Sequence, residues 1–276
     1  MQHLLLVDET FDLNFTPEYY LSIQFSLDGF SFCIRDGLQN KYIYLFHKEF
    51  SGNPKFLHRK LKDIYSEFEI LEATFKRTKL IYSSPGRMML LPKSFFEERH
   101  GQAICQLNMD LADDEEFCYL PVKPFDQVLQ MAMPRKVKQF VTDKHPGVLI
   151  QNELALQLSA SARQTSPHPV MNVLLYRNQL TLTLLDQTTI RFCNSFKYRN
   201  DNDLLYYILN VVQSEQVNEL TIQLSGRVNK RSPIYHLLRQ YFKDVTIVSP
   251  SSEVYYSYLF DQLPDARFVN LLNDQE

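Results

Sequence analysis

The chain has 276 residues, of which 45% are hydrophobic and 22% charged, a composition typical of a globular protein with a sizeable core. Its net charge of −3 argues against a nucleic-acid partner, because binding to phosphate backbones needs a basic excess. No uncharged apolar run approaches the ~20 residues of a membrane helix, and no signal-peptide pattern is present, so we expect no membrane insertion. The four scattered cysteines predict reduced thiols in the cytoplasm, not a disulfide or zinc framework.

Three short β-prone segments lie near the N-terminal end, after an apolar run at residues 4–7 that predicts an edge strand or a loosely held arm. The segments are 20–26, 30–35 and 41–46, and the dipeptides Asp28-Gly29 and Asp36-Gly37 separate them. Short turns between β-prone segments predict consecutive hairpins, and therefore an antiparallel meander. Apolar residues at helical spacing then predict a helix that opens at Pro54 and leads to a closing strand at 80–82.

The middle of the chain is less regular. It predicts strands at 88–91, 125–133 and 148–150, and helices from Ser94 to about Cys105, over 135–144 and after the cap Asn152. The acidic stretch 110–116 lacks the alternating oxygen ligands and central glycine of a calcium loop, so it predicts a solvated loop. The polar, proline-bearing stretch 161–169 predicts an interdomain link. We therefore expect one domain over residues 1–165 and a second over residues 166–276.

The second domain repeats the order of the first. Strands are predicted at 173–176, 179–185 and 188–196, followed by a helix that Asn202 or Asp203 caps and a strand at 220–224. Gly29 and Asn178 are separated by 149 residues, as are Pro54 and Asp203. Few residues are identical between the two copies, and chance agreement of short strands is the alternative. The constant offset across two hairpins and a helix favours an internal duplication.

The C-terminal part is predicted to contain a helix from Ser232-Pro233, a strand at 245–248 and a last helix capped by Ser252, with an irregular tail from Pro264. The aromatic cluster at 255–260 would wrap both faces of that last helix. The favoured interpretation is that the cluster docks on the second sheet. The alternative is an aromatic surface that another domain or a partner covers.

Two β-β-β-α-β units, each extended by an α-β-α tail, resemble the duplicated ribonuclease H-like fold of the actin-like ATPase superfamily. The segment from Met131-Ala132-Met133-Pro134 to Leu156 resembles the first-domain tail of pilus-assembly and secretion proteins of that superfamily. The stretch from Asn172 through Asn194 to Gly226 resembles, more closely, a bacterial family classed as a domain of unknown function. The resemblance implies an α/β fold in which two mixed-sheet domains of βββαβαβα type surround a cleft.

The resemblance also implies three nucleotide-binding loops in that cleft. The first is the first hairpin, where Asp28-Gly29 stands; its structural alternative is a type I′ turn, which needs positive φ and no ligand. The second should contain an aspartate and a glycine, but here it runs from Tyr176 to Gln179, with Asn178 and neither residue. The third should contain a glycine pair, of which only Gly226 is present. The candidate cofactor-binding residues are therefore Asp28, Gly29, Asn178 and Gly226.

The altered second loop predicts a non-catalytic module that binds a protein partner, as an assembly or regulatory component. We expect no catalytic residue, no resident metal and no cofactor. The alternative is a divergent ATPase or sugar-kinase relative that binds ATP with magnesium in the interdomain cleft. Positioning and charge neutralisation carry nearly all of phosphoryl-transfer catalysis, so the loss of one wall of the cleft argues against turnover.

Overall fold

The computed structural model describes residues 3–50, 56–96, 103–104, 106–164 and 166–273. Its strands are β1 (His3–Val7), β2 (Tyr19–Phe25), β3 (Gly29–Asp36), β4 (Lys41–Glu49), β5 (Arg77–Tyr82), β6 (Met88–Pro92), β7 (Glu115–Val122), β8 (Gln127–Pro134), β9 (Leu149–Gln151), β10 (Val170–Leu175), β11 (Gln179–Asp186), β12 (Thr189–Lys197), β13 (Thr221–Gly226), β14 (Asp244–Ile247) and β15 (Tyr255–Tyr256). Its helices are α1 (Leu57–Glu67), α2 (Arg135–Lys144), α3 (Glu153–Ser161), α4 (Asp201–Ser214), α5 (Pro233–Tyr241) and α6 (Val269–Leu272). Within these described ranges, no helix is both long enough and apolar enough to cross a membrane.

The first sheet has the strand order β1-β4-β3-β2-β5-β9, and β15 also pairs with β4. Strands β2, β3 and β4 form an antiparallel meander, and β5 lies parallel to β2 after the crossover helix α1. The predicted meander and crossover are therefore confirmed. Helix α1 buries Leu57, Leu61, Ile64 and Tyr65 against this sheet. Its predicted opening residue, Pro54, lies outside the described residues.

The second sheet has the order β12-β11-β10-β13-β14, which matches the order β4-β3-β2-β5-β9 of the first. Strand β13 is parallel to β10, and α4 connects the meander to it. The predicted cap of α4 is wrong: the cap is Asn200, whose side chain accepts from the N–H groups of Asn202 and Asp203. The Asp203 carboxylate accepts in turn from the Asn200 N–H. This reciprocal capping box selects Asn200 as the helix cap among several neighbouring polar residues.

A third, antiparallel sheet has the order β6-β8-β7, and in the sequence it is inserted between β5 and β9 of the first sheet. Strand β7 was not predicted, because its first residues, Glu115 and Glu116, end the acidic stretch. The prediction of a solvated loop is wrong there: Glu115 is buried, and its carboxylate pairs with the Arg87 guanidinium. The predicted helix after Ser94 begins only as a 3-10 turn at Lys93–Phe95, and most of its course, including Cys105, lies outside the described residues.

Strand β3 is buried along its whole length, because both faces of the first sheet are covered. On one face Phe30, Phe32 and Ile34 pack in a core that α1 and α2 complete. On the other face Cys33 packs in a second cluster with residues of the C-terminal segment. The second sheet has its own core, to which α4 and α5 contribute.

The C-terminal segment returns to the first sheet. The helix predicted after Ser252 is wrong: Tyr255 and Tyr256 form β15, and a 3-10 turn at Tyr258–Gln262 and α6 follow. The aromatic cluster docks on the first sheet and not on the second, since Tyr256 stacks on Tyr42 with ring centroids 5.5 Å apart. The domain boundary between residues 165 and 166 stays a prediction. Residues 255–272 belong to the second predicted domain but also pack against the first sheet.

Candidate functional site

The first hairpins of the two units face each other. The backbone N–H of Arg177, at the β10–β11 turn, donates to Oδ2 of Asp28, at the β2–β3 turn, over 3.2 Å. A cavity of about 50 Å³ lies between them. Its walls come from both units and include Gln24, Asp28, Gly29, His47, Glu153, Tyr176, Gly226 and Arg267. The predicted cleft therefore exists, and little free volume remains where the two hairpins meet.

Two predicted site residues, Asp28 and Gly29, line this cavity at the end of β2 and the start of β3. The type I′ explanation of the dipeptide is wrong, because neither residue is among the positive-φ positions of the described chain. Gly29 is instead required by close approach: a Cβ at this position would lie 2.9 Å from the Lys48 carbonyl oxygen of β4. A structural constraint thus accounts for the glycine without a ligand.

Gly226 also lines the cavity, at the end of β13. Its φ is +84°, and a Cβ there would lie 2.2 Å from the Leu175 carbonyl oxygen. That carbonyl accepts the N–H of Arg227 over 2.9 Å, so the chain turns tightly against β10. Both the positive φ and the close contact demand glycine at this position.

The fourth predicted residue, Asn178, is exposed at the tip of the β10–β11 hairpin and is not among the residues that line the cavity. Tyr176, two residues earlier, takes that place. Its side chain is buried, and its hydroxyl hydrogen-bonds to the Glu153 carboxylate. Burial, together with the Glu153 charge, raises the pKa of the Tyr176 hydroxyl well above its usual value. An aromatic ring therefore fills the space that the superfamily pattern leaves to a small residue.

Glu153, the first residue of α3, is the buried acid of the cavity. Its helix begins there because the Asn152 side chain caps the Leu154 N–H over 2.8 Å. Its carboxylate accepts from Gln24 Nε2 over 2.5 Å, from the Ser83 hydroxyl and from Tyr176. Burial raises the pKa of Glu153, whereas these hydrogen bonds lower it, and the net direction is upward. The carboxyl group is fully enclosed by neutral donors.

Glu49, at the end of β4, collects three guanidinium groups that come from beyond residue 170. Its oxygens accept from Arg267 over 2.5 Å, from Arg227 over 2.9 Å and from Arg177 over 3.3 Å. Burial by itself would raise the pKa of Glu49, but the hydrogen bonds and charges of these arginines lower it to about 2. Two of these arginines, Arg227 and Arg267, also line the cavity between the hairpins.

His47 lies between Ser31 and Arg267. Its Nε2 is 3.0 Å from Arg267 Nη1, a group that can only donate, so Nε2 accepts and Nδ1 carries the proton. Nδ1 then donates to the Ser31 hydroxyl over 2.8 Å. Burial, followed by the Arg267 charge, lowers the pKa of His47 to about 4. Since the imidazole donates to Ser31, it is not placed to take a proton from that hydroxyl as a general base.

The carboxylates of the cleft are therefore all engaged by other protein groups, whereas Oε1 of Gln24 is buried without a hydrogen-bond partner in the described part of the chain. Asp28 accepts from Arg177, Glu153 from neutral donors and Glu49 from arginines. Among the described residues, no group of three or more His, Cys, Asp or Glu side chains is arranged to hold a metal ion. The arrangement is suited to holding two units together.

Several residues of the site have no signal in the sequence. Glu153 is an acid in the first turn of a capped helix, which is an ordinary surface position. Glu49 and Arg267 are 218 residues apart; Glu49 ends β4 and Arg267 lies in a short 3-10 turn, positions at which a charged residue is ordinarily solvated. The exceptions are Tyr176 and Arg177, which stand in the second loop of the superfamily resemblance, and Arg227, which directly follows Gly226 of the third. Burial and pairing of the others depend on how the units meet.

Comparisons with solved structures agree on the fold. A protein from Bacteroides thetaiotaomicron VPI-5482 with an actin-like ATPase fold and unknown function is 21% identical, with a TM-score of 0.78 over 87% of this chain and 94% of that one. The PilM–PilN type IV pilus biogenesis complex matches at 12% identity, with a TM-score of 0.58 over 91% of this chain and 96% of that one. The chain thus has the actin-like ATPase fold, as predicted.

Sequence comparisons place the chain in a family. No curated protein sequence matches it. A family model described as a protein of unknown function matches residues 8–245, which is most of the chain. The chain therefore belongs to the family of proteins of unknown function DUF3822.

Proposed function

We propose that this protein is a non-catalytic actin-like module that binds a protein partner, as an assembly or regulatory component. The observation that carries the proposal is the small volume of the cavity between the two hairpins. Small-molecule sites usually enclose about 300–1,000 Å³, whereas the cavity between the two hairpins has about 50 Å³. Tyr176, Arg227 and Arg267 line this small cavity.

The chemistry of the cleft supports the same conclusion. Phosphoryl transfer needs a magnesium ion between the two walls and donors close to the phosphates. Asp28 offers a carboxylate from one wall, but it already accepts from the Arg177 N–H. The opposite wall presents Tyr176, and close packing explains both Gly29 and Gly226. No second carboxylate faces Asp28 from the β10–β11 hairpin, whose residues are all described.

A protein partner is supported by one of the structural neighbours. PilM, with the same fold, is seen in a complex with PilN in type IV pilus biogenesis. We also propose that the two units arose by internal duplication in a bacterial protein, which the matching strand orders support. A cytoplasmic location fits the three free cysteines of the described residues, Cys33, Cys118 and Cys193.

A divergent ATPase or sugar-kinase relative remains the second candidate, because Asp28, Gly29 and Gly226 line one cavity. Thermal unfolding with magnesium ATP separates the two functions. A ligand at ~100 times its dissociation constant adds ~2.7 kcal/mol of stability, which raises the midpoint by roughly 2–4 °C per kcal/mol. We expect no shift at millimolar magnesium ATP and no phosphate release. A shift that Asp28→Ala abolishes and the exposed-site control Asp63→Ala retains, together with turnover, would establish the ATPase.

Binding of a protein partner is tested in a separate experiment. The purified chain is used to capture proteins from its native source after mild crosslinking. Each captured protein is then produced alone, and its binding to this chain is measured by calorimetry. We expect at least one direct complex with a defined stoichiometry. If every candidate fails to bind as a purified protein, the partner-binding function is wrong.

A further inference from the structure

The segment of residues 255–272, which we name the C-terminal clasp, follows β14, the edge strand of the second sheet, but binds the first sheet. Its Tyr255 and Tyr256 pair with Lys41 and Tyr42 of β4. The Ser257 N–H also donates to the Tyr42 carbonyl over 3.0 Å. Its apolar side chains fill one cluster with the first sheet, which contains Leu6, Cys33, Tyr42, Leu45, Ile81, Phe260, Phe268, Leu271 and Leu272.

The same segment is anchored to the second unit. The Ala266 N–H donates to the Val228 carbonyl over 3.0 Å, and Asn229 Nδ2 donates to the Pro264 carbonyl over 2.8 Å. Ala266 and Val269 belong to the core of the second sheet. Side chains within three residues of each other are therefore buried in two different cores.

Between these anchors, the Arg267 side chain lines the cavity between the two hairpins. Asp265 accepts from Arg267 Nε over 2.7 Å and fixes the guanidinium from its own segment. Arg267 Nη1 then donates to Glu49 and approaches His47, both on β4. The guanidinium is mostly buried, so this contact is poorly screened by solvent.

We propose that the C-terminal clasp holds the two units closed over the cleft, and that the Arg267–Glu49 contact is the point at which it is released. Moving the units apart must separate Glu49 from the arginines of the second unit. It must also strip the clasp from β4 or from Val228. Loss of the Arg267 contact weakens the part of the clasp closest to the cleft, and the cleft then opens more often. This conformational control goes beyond the proposed partner binding and does not depend on it.

Hydrogen exchange measured by mass spectrometry tests the proposal on the full chain, with no nucleotide or partner added. The variants are Arg267→Met, which keeps the length of the side chain, and Glu49→Gln, which keeps its shape. Arg239→Met is the matched control, because Arg239 lies over the Tyr235 ring within the second unit. We expect exchange to rise by about tenfold, the effect of ~1.4 kcal/mol, at both walls of the cleft, residues 174–179 and 225–228 on one side and 24–29 on the other. Segments 30–34 and 204–211 should stay as protected as in the control.

Three results would overturn the proposal. In the first, both variants exchange at the cleft walls as the control does. In the second, exchange rises only within residues 255–272, so that the segment is a cover without influence on the cleft. In the third, protection falls uniformly through both cores or the variants do not fold, which would make the contact part of the folding core and not a release point. The experiment is indifferent to nucleotide binding, so its failure is distinct from failure of the proposed function.

Discussion

At Gly226 two separate constraints meet in one residue. The positive φ of this residue lies in a region that side-chain-bearing L-residues adopt at a cost of ~1–2 kcal/mol, and its missing Cβ leaves room for the Leu175 carbonyl. Gly147 provides a comparison, since its φ is +79° and a Cβ there would meet nothing within 4 Å. The two glycines therefore share the backbone constraint and differ only in packing.

We predict that Gly226→Ala lowers the free energy of unfolding by about 2–5 kcal/mol, from ~1–2 kcal/mol of backbone strain plus ~1–3 kcal/mol of overpacking. Gly147→Ala should cost only the backbone part. Urea unfolding of the two variants measures the difference. Equal losses would show that the loop after β13 relaxes freely and that Gly226 is not fixed by its contact with β10.

At the scale of single elements, α4 shows how far helical spacing predicts packing. Helical spacing predicts one apolar face with Leu204, Leu205, Ile208, Leu209 and Val212, of which the first three are buried and Val212 is half-buried. Leu209 is 37% exposed, because a helix turns 100° per residue and the adjacent position leaves the buried face. Ile208, at 0% exposure, is the centre of the contact.

Ile208→Ala should lower the free energy of unfolding by about 2–5 kcal/mol, because it removes buried methyl and methylene groups and leaves a cavity. Leu209→Ala, on the same helix, should cost about 1 kcal/mol or less. Denaturant unfolding of both variants compares them directly. A small loss for Ile208→Ala would mean that the helix repacks around the cavity.

The α1–α2 pair is joined by a buried hydrogen bond. The Tyr65 hydroxyl of α1 lies 2.9 Å from Nε2 of His145, the residue that ends α2. Burial, followed by the Lys144 charge, lowers the pKa of His145 from 6.5 to about 4. The folded protein therefore binds fewer protons than the unfolded chain between these two values, and its stability falls as the pH falls through this window.

Replacing this imidazole should flatten the dependence of stability on pH. Between pH 7 and pH 5 about 2 kcal/mol of the His145 contribution is lost, because over this interval the imidazole becomes protonated in the unfolded chain but stays mostly neutral in the folded one. His145→Gln keeps an acceptor for Tyr65 but does not titrate, so its urea-unfolding free energy should change by about 2 kcal/mol less over this interval. The exposed His168→Gln is the control. Parallel pH curves for the wild type and His145→Gln would contradict the assignment.

On the scale of the whole molecule, the two units are joined through more than the chain connection. The arginine cluster on Glu49 and the C-terminal clasp both cross from one unit to the other. Interfaces that carry apolar clusters unfold together with the cores they join. Both sheets should therefore unfold in one transition.

Single-tryptophan variants can follow each unit separately, because the chain contains no tryptophan. Phe140→Trp reports on α2 and Tyr207→Trp on α4, and we expect their urea midpoints to coincide. Adding Tyr256→Ala, which removes the ring stacked on Tyr42, should separate the two midpoints. Adding Tyr255→Ala, at a position 71% exposed, should not. If the urea midpoints of the two single-tryptophan variants differ without any further substitution, the clasp does not couple the units.

The sequence by itself determined the order of elements in each unit. Alternation at residues 179–185 and helical spacing through Ile208 are local patterns, and short turns leave antiparallel pairing as the simple solution. Such signals reach only a few residues along the chain. These local patterns therefore predicted the two meanders and their crossover helices. The resemblance to the actin-like fold rests on the same elements.

The tertiary structure alone decided what lies in the cleft. Glu153 and Tyr176 become buried partners, and Glu49 meets Arg267, only because the two units close on each other. The docking of Tyr256 on β4 likewise depends on a strand edge more than 200 residues earlier in the chain. Local patterns carry no information on such contacts, because charge and aromatic character alone are equally compatible with a solvated surface.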